Sequence, residues 1–287
     1  MSFEVEIQPP RPEVKAIAEK ELRETEEVVK EGIVALRKLI EEDKTIYFRT
    51  DDDFLLIFLR PCKFYAKSAY ELMLRVADFK EKNAALLDNL LPADEKVAIL
   101  ESNVVNVIKS RDHKGRRMLL MNCGKVWDPS KVSADQLFRL LYLVHELAML
   151  EPETQICGVV VIMDFEGLAM KQAMGFTPSF SMRLLSFIQD AMPLRLKEAH
   201  VVKQPFLFNM VWKMFKPFVK EKLKSRMFFH GNKMASLHNH IPPTHLPKNY
   251  DGDLPEIDYT SADWYPTLIK QEDKIKEWNS YGHRKNK

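Results

Sequence analysis

Glycine is scarce in this chain, with nine in 287 residues, and no two of them are spaced as GxGxxG or GxxxxGK. A phosphate-cradling loop needs the close backbone approach that glycine permits, so nucleotide binding by those routes is disfavoured. No GxSxG elbow or other nucleophile–base set is present, which argues against a hydrolase. No run of 18 or more apolar residues occurs, so no bilayer-spanning segment is expected. The opening stretch MSFEVEIQPPRPEVK has no apolar core and carries acids early, so it reads as neither a signal nor a transit peptide. The three cysteines, Cys62, Cys123 and Cys157, are scattered without paired or metal spacing, as in a reduced cytoplasmic protein. His238, His240 and His245 lack a cysteine or acid at metal spacing, so they read as loop residues and no metal site is expected.

What is present is an ordinary globular balance, 46% hydrophobic and 29% charged. A compact chain of this size buries roughly three-quarters of its unfolded surface, enough for a large core or a cavity within it. The net charge is only +2, but it is uneven. Between Pro193 and His230 nine Lys or Arg face two acids, Glu198 and Glu221. A basic region on a nearly neutral protein points to an anionic partner.

Three prolines mark residues 1–12 as a flexible lead. A long helix is expected over Glu13–Glu42, another from the acidic cluster Asp51–Asp53 to Pro61, and a third over Ser68–Asn83. Residues 13–91 therefore form a small helical domain. From Pro92 short apolar runs alternate with helices. MLLM (118–121), GVVVIMD (158–164), His200–Val202 and RMFFH (226–230) read as strands, and 134–150 and 179–191 as helices. This alternation indicates an α/β layer over 92–255 with a mostly parallel sheet. Residues 256–287 return to polar helix, with Trp264, Leu268, Ile269, Ile275 and Trp278 as docking residues. Asp164, at the end of a buried strand, reads as a cap for the next turn.

The segment 204–226, QPFLFNMVWKMFKPFVKEKLKSR, reads as one helix. Phe208, Val211, Trp212, Phe215 and Phe218 form a stripe at helical spacing, and Phe206 and Met214 extend the apolar surface. One reading is a core helix whose lysines snorkel. The other is a lid, apolar inside over a cavity and apolar outside against a membrane, with methionines that repack easily. Lys222 and Arg226 are four apart and share a helix face, while Arg195 and Lys197 are two apart in an extended segment and point the same way. Two such pairs could grip a phosphorylated headgroup.

The pieces DDDFLLIFLRPCKF (51–64), DHKGRR (112–117), MDFEGL (163–168), FTPS (176–179), MPLRLKEAH (192–200) and FKPFVKEKLKSRMFFHGN (215–232) stand in an order and spacing similar to the CRAL-TRIO lipid carriers. The chain most resembles their tocopherol-transfer and retinaldehyde-binding branch, over residues from about 30 to 255.

The resemblance implies a small N-terminal helical domain followed by an α/β domain, with a helical lid over an apolar cavity. It places the 204–226 helix as the lid. It assigns phosphoinositide binding to Arg195, Lys197, Lys222 and Arg226, and cavity lining to Leu141, His145, Leu184, Phe187, Ile188 and Leu194. In the branch the first cation pair is Lys then Arg, so here the charge is kept and the residue types are exchanged. Pro61 and Cys62 stand where the family often has Ala-Arg. Leu141 and His145 stand where the tocopherol carrier has small hydroxyl residues, which puts tocopherol itself in doubt. His145 can be read as hydrogen-bonded core or as a ligand contact.

The implied function is that of a cytoplasmic carrier, not an enzyme. It would use no cofactor, hold one isoprenoid-like molecule (a tocopherol, retinoid or carotenoid) and associate transiently with phosphoinositide membranes. A phosphatidylinositol or phosphatidylcholine exchanger and a membrane-recruited regulatory module remain as alternatives.

Overall fold

A computed structural model describes residues 3–284. Its first part is helical: α1 (Pro12–Leu22), α2 (Glu26–Glu42), α3 (Asp52–Leu59), α4 (Ala66–Lys82) and α5 (Ala84–Leu87). The long helix expected over 13–42 is two helices. Arg23 turns left-handed at φ 65°, and Thr25 accepts a bond from the Val28 N–H to cap α2. Asp51 does the same for α3 through Phe54 N–H, with Asp52 and Asp53 in the first turn, where the helix dipole favours acids.

A five-stranded sheet follows, in the order β2 (Val105–Ile108), β3 (Arg117–Asn122), β4 (Val159–Asp164), β5 (Leu196–Val202) and β6 (Met227–Phe229). The β2–β3 pair is antiparallel and the other three pairings are parallel. Helix α6 (Lys96–Ser102) leads into the sheet. Helices α7 (Ala134–Met149) and α8 (Pro152–Cys157) connect β3 to β4, and α9 (Met170–Gly175) and α10 (Pro178–Ser186) connect β4 to β5. A π-helical turn, Phe187–Ala191, extends α10. Helices α11 (Phe208–Phe215) and α12 (Glu221–Lys224) lead to β6, and α13 (Met234–His238) follows it. Gly158 sets the start of β4 with φ 85°, where a Cβ would stand 2.4 Å from the Arg195 carbonyl oxygen.

β5 begins four residues earlier than expected and contains a bulge. Val159 pairs with Leu196, but Val160 pairs with Glu198, so Lys197 is the extra residue. Leu196 and Ala199 therefore face the same side as Val159, Val161 and Met163. Glu198, His200 and Val202 face the other side with Val160 and Ile162. That second face packs under Met234, Leu237, Ile241, Leu246 and Tyr250.

The chain ends hold the two parts together. Helices α14 (Ser261–Lys270) and α15 (Glu272–Asn279) lead to β7 (Gly282–His283), which pairs with β1 (Ile46–Tyr47) in the helical part. Trp278 donates to the Tyr142 hydroxyl at 3.0 Å and stacks on Phe58, and Lys80 Nζ donates to the carbonyls of Trp278 and Tyr281, each at 2.5 Å. Residues 3–12 are not a loose lead. Glu6 pairs with Arg111 at 2.8 Å and Arg117 at 3.1 Å, and Arg11 pairs with Glu153 at 2.9 Å. Prolines stiffen this stretch, but its fixed place comes from carboxylate–guanidinium bonds that sequence spacing does not reveal.

Deleting Lys197 tests the bulge. Without the extra residue, plain alternation still keeps Leu196 on the cavity side and Glu198 on Arg116, whereas deleting Ala199 sets Glu198 next to His200 and turns one polar group towards the apolar face, where an uncompensated buried charge costs about 3–5 kcal/mol. Lys197→Ala keeps the extra residue and loses only a rim ion pair worth about 0–1 kcal/mol. Urea midpoints should fall steeply for the Ala199 deletion and little for the Lys197 deletion or substitution; a Lys197 deletion as damaging as the Ala199 deletion would refute the role given to the bulge.

Candidate functional site: an apolar cavity beneath a basic groove

Between the sheet and helices α7 and α10 lies a cavity of about 150 Å³, within about 1040 Å³ of space not filled by atoms. Leu141, His145, Leu184, Phe187, Ile188 and Leu194 all line it, together with Val161 and Met163 from the sheet. Helix α7 reaches the cavity because Ser133 and Gln136 form a capping box that starts it there, and its buried stripe runs through Leu137, Leu141 and Val144. Two lining residues are polar beyond their backbone. Arg117 is neutralised by Glu151, at 2.6 Å, and its Nη1 donates to the Lys109 carbonyl. His145 is the other.

The His145 ring lies against Phe187 and Tyr142, with centroids 4.8 and 4.9 Å away. Nδ1 is 2.7 Å from the Tyr142 carbonyl. A carbonyl only accepts, so Nδ1 carries the proton and Nε2 keeps its lone pair. Nε2 is buried and has no protein partner.

The four cations singled out in the sequence converge. Arg195, Lys197, Lys222 and Arg226 line one groove of about 700 Å³, along with Lys20, Lys63, Arg75 and Lys220. Glu21 bridges Arg195 at 2.6 Å and Lys197 at 3.1 Å, so that pair does point the same way. Lys220 pairs with Asp190 at 2.6 Å. Eight cations against these two carboxylates leave the groove strongly positive. Burial, followed by the Arg195 charge, holds the Arg226 guanidinium below its ordinary value, and its Nη1 donates to the Leu196 carbonyl. Lys222 and Arg226 do not share a helix face, because α12 ends at Lys224 and Arg226 opens the path into β6. Lys20, Lys63 and Arg75 come from the helical part, and nothing local in the sequence marks them.

The groove and the cavity share a wall. Ile188, Met192, Leu194, Leu196 and Leu223 line both.

The 204–226 segment is not one helix. Pro217 leaves a 3₁₀ turn, Lys216–Phe218, after α11, and Val219 is extended before α12. Of the lid residues expected from the sequence, Phe215 lines the cavity. Phe208 and Val211 are buried, Phe208 against Phe165 at 4.7 Å. Trp212 is half-buried against Phe229 at 5.0 Å, and Met214 and Phe218 are half-buried. Phe206 is 91% exposed. Helix α9 packs on α11, and the two elements and their approach leave Met170, Met174, Phe206 and Met210 exposed.

The other sequence signals fall elsewhere. The Asp164 carboxylate accepts the Glu166 N–H at 2.8 Å and pairs with Lys203 at 3.3 Å. His238, His240 and His245 do not converge. His238 Nε2 donates to the Tyr250 carbonyl, His245 lies beside His113, and His240 lies against Phe228. Burial raises the thiol values of all three cysteines, to about 11 for Cys62. No helix among the described residues is long and apolar enough to cross a membrane.

Burial lowers His145 from its ordinary 6.5 to about 4; the Tyr142 bond opposes the shift and Lys80 adds to it. Above 6.5 both folded and unfolded chains hold the ring neutral. As pH falls from 6.5 towards 4, the unfolded chain takes up a proton that the folded chain refuses, and stability drops by up to about 1.4 kcal/mol per pH unit. His145→Gln should flatten the urea midpoint against pH in that window; an unchanged slope would mean that the ring is already protonated or hydrated.

Comparison with known proteins identifies the family. The CRAL/TRIO domain family matches residues 101–252. Clavesin-1 of Rattus norvegicus is 34% identical over 265 residues, which is 92% of this chain and 73% of that protein. Alpha-tocopherol transfer protein-like of Mus musculus is 33% identical over 264 residues, 91% of this chain and 76% of that protein. A looser likeness, to the crystal structure of Sfh5, covers 93% of this chain and 99% of the other at 11% identity and a TM-score of 0.48. With a family match over more than half its length and relatives of this identity, the chain belongs to the CRAL/TRIO family of lipid-binding and lipid-transfer proteins.

Proposed function

We propose that this protein carries one small hydrophobic molecule of isoprenoid type and exchanges it at membranes that contain phosphoinositides. The observation behind this reading is the shared wall: a groove with eight cations backs directly onto an apolar cavity. An anion bound in the groove lies one layer of side chains from the cargo.

The cavity chemistry supports an apolar cargo with a single polar group. A guest with about 500 Å² of apolar surface gains about 12 kcal/mol on leaving water. The lone pair on His145 Nε2 suits a hydroxyl, which can donate to it. The name of one relative, alpha-tocopherol transfer protein-like, points to a tocopherol. Leu141 and His145 would then shape the pocket differently from small hydroxyl residues. The free volume matches cavities that hold a benzene-sized guest. A longer isoprenoid therefore requires Phe215, Ile188 or Leu223 to move, and these residues belong to α11, the π-helical turn and α12. A phospholipid would need a cation free to meet its phosphate inside the cavity, and Arg117 is already held by Glu151.

Release into water would oppose the full burial energy, whereas release into a bilayer exchanges one apolar medium for another. Basic residues near an anionic surface contribute about 1 kcal/mol each, so Arg195, Lys197, Lys222 and Arg226 give about 4 kcal/mol, enough for reversible docking. Phe206, Met170, Met174 and Met210 supply apolar side chains for the interface. The protein is then a carrier rather than an enzyme, and its visits to the membrane are brief.

Charge reversal tests this. Lys222→Glu with Arg226→Glu should slow transfer to phosphoinositide vesicles by at least about tenfold, the equivalent of 1.4 kcal/mol. Transfer to neutral vesicles and cargo content should stay unchanged. Lys63→Glu with Lys222→Glu, both exposed side chains, repeats the test without touching the Arg226–Leu196 bond. Normal transfer by both variants would contradict the proposal.

A further inference from the structure

The bulge at Lys197 sends Glu198 and His200 to the sheet face away from the cavity. There they meet His240, which follows α13 in the turn Asn239–Ile241. One donor atom from each of Glu198, His200 and His240 lies within 4.8 Å of the others. Glu198 Oε2 and His200 Nε2 are 3.4 Å apart. Tetrahedral zinc with ligand bonds near 2.0–2.1 Å sets its donor atoms about 3.4 Å apart, so one edge of such a site is already formed.

The surroundings treat these groups as ligands are treated elsewhere. His200 is fully buried, and its Nε2 has no hydrogen-bond partner. Its other ring nitrogen, Nδ1, is 3.0 Å from His230 Nε2, and His230 Nδ1 is 2.8 Å from the Ser236 hydroxyl. Metal-bound histidines are oriented by such a bond from the second nitrogen.

Charge favours a cation as well. Arg116 lies between Asp112, at 2.5 Å, and Glu198, at 2.9 Å, so two carboxylates share one guanidinium, with the Lys114 charge as a second, weaker influence on Glu198. Asp112 is itself fixed by the Arg116 and Lys114 N–H groups, which keeps this carboxylate pair from drifting apart. His240 is half-buried, which leaves an approach for an ion and for water.

We propose that Glu198, His200 and His240 bind one divalent transition-metal ion of the Zn²⁺ class, with water as the fourth ligand. Two imidazoles and a carboxylate suit zinc or cobalt better than the oxygen-seeking Mg²⁺ and Ca²⁺ or the thiolate-seeking Cu⁺. The ion pins the turn after α13 to β5, on the back of the strand whose front carries the cavity wall. This site does not depend on the carrier reading.

The test uses the full chain without a histidine tag, titrated with Co²⁺ and then Zn²⁺. One equivalent of Co²⁺ should give the visible bands of a tetrahedral ion, and Zn²⁺ should abolish them and raise the melting temperature. His240→Ala should weaken Co²⁺ binding by more than about 100-fold, beyond what losing an outer partner costs. His245→Ala, in the same loop, should bind as the parent does. His240 lies in a partly exposed turn, and far-UV circular dichroism of its variant confirms folding. No Co²⁺ uptake by the parent, or uptake that His240→Ala leaves intact, would overturn the site.

Discussion

The pairing of β5 with β4 slips by one residue at Lys197, and much of the molecule's chemistry follows from that slip. In a regular strand Leu196, Glu198 and His200 would share a face, and a carboxylate and an imidazole would stand in the cavity wall. The extra residue keeps Leu196, Ala199 and Val201 on the cavity side. It delivers Glu198 to Arg116 and His200 to His230 and His240 on the other. It also aims Lys197 at Glu21, at the rim of the basic groove. An apolar pocket, a cationic groove and a polar histidine cluster thus fit around one short strand, at the cost of a single unpaired backbone position.

On the proposed function, packing the cavity directly against the groove is what would couple membrane charge to cargo release. The π-helical turn contributes Ile188 to the shared wall, and Gln189 on that turn bonds the Phe218 carbonyl and the Lys220 N–H in the segment that joins α11 to α12. Lys220 also pairs with Asp190 on the same turn. Neutralising the groove's cations therefore bears on the elements that close the cavity. The two sites meet across one layer of side chains. The Lys80 bonds to the C-terminal carbonyls, and the Glu6 and Arg11 pairs, hold the helical part and the α/β part in one frame.

Much of this was legible in the sequence where local chemistry dictates structure. The acidic start of α3, the apolar β4 run and the α7 stripe have one solution each. Leu141, His145, Leu184, Phe187, Ile188 and Leu194, which the family resemblance assigned to one cavity, do share one. What failed did so for identifiable reasons. Pro217 was visible and is incompatible with a continuous helix, but the apolar stripe on either side outweighed it. The break at Arg23 depends on a Thr25 cap that looks like any polar residue in a charged helix. The bulge left only a faint trace, the spacing of three and then two between Leu196, Ala199 and Val201. Lys20, Lys63 and Arg75 join the groove through tertiary packing, and His240 meets His200 across forty positions of chain, so neither has a local signature.

The central claim is that the cavity holds one apolar cargo molecule per chain. Native mass spectrometry of the purified protein, followed by organic extraction, tests it most directly. The account predicts one bound molecule per chain, of isoprenoid type with a single hydroxyl, lost when the cavity is filled by Ala199→Phe. A bound phospholipid, or a chain that comes out empty after exposure to cell lipids and still binds phosphoinositide vesicles, would contradict it.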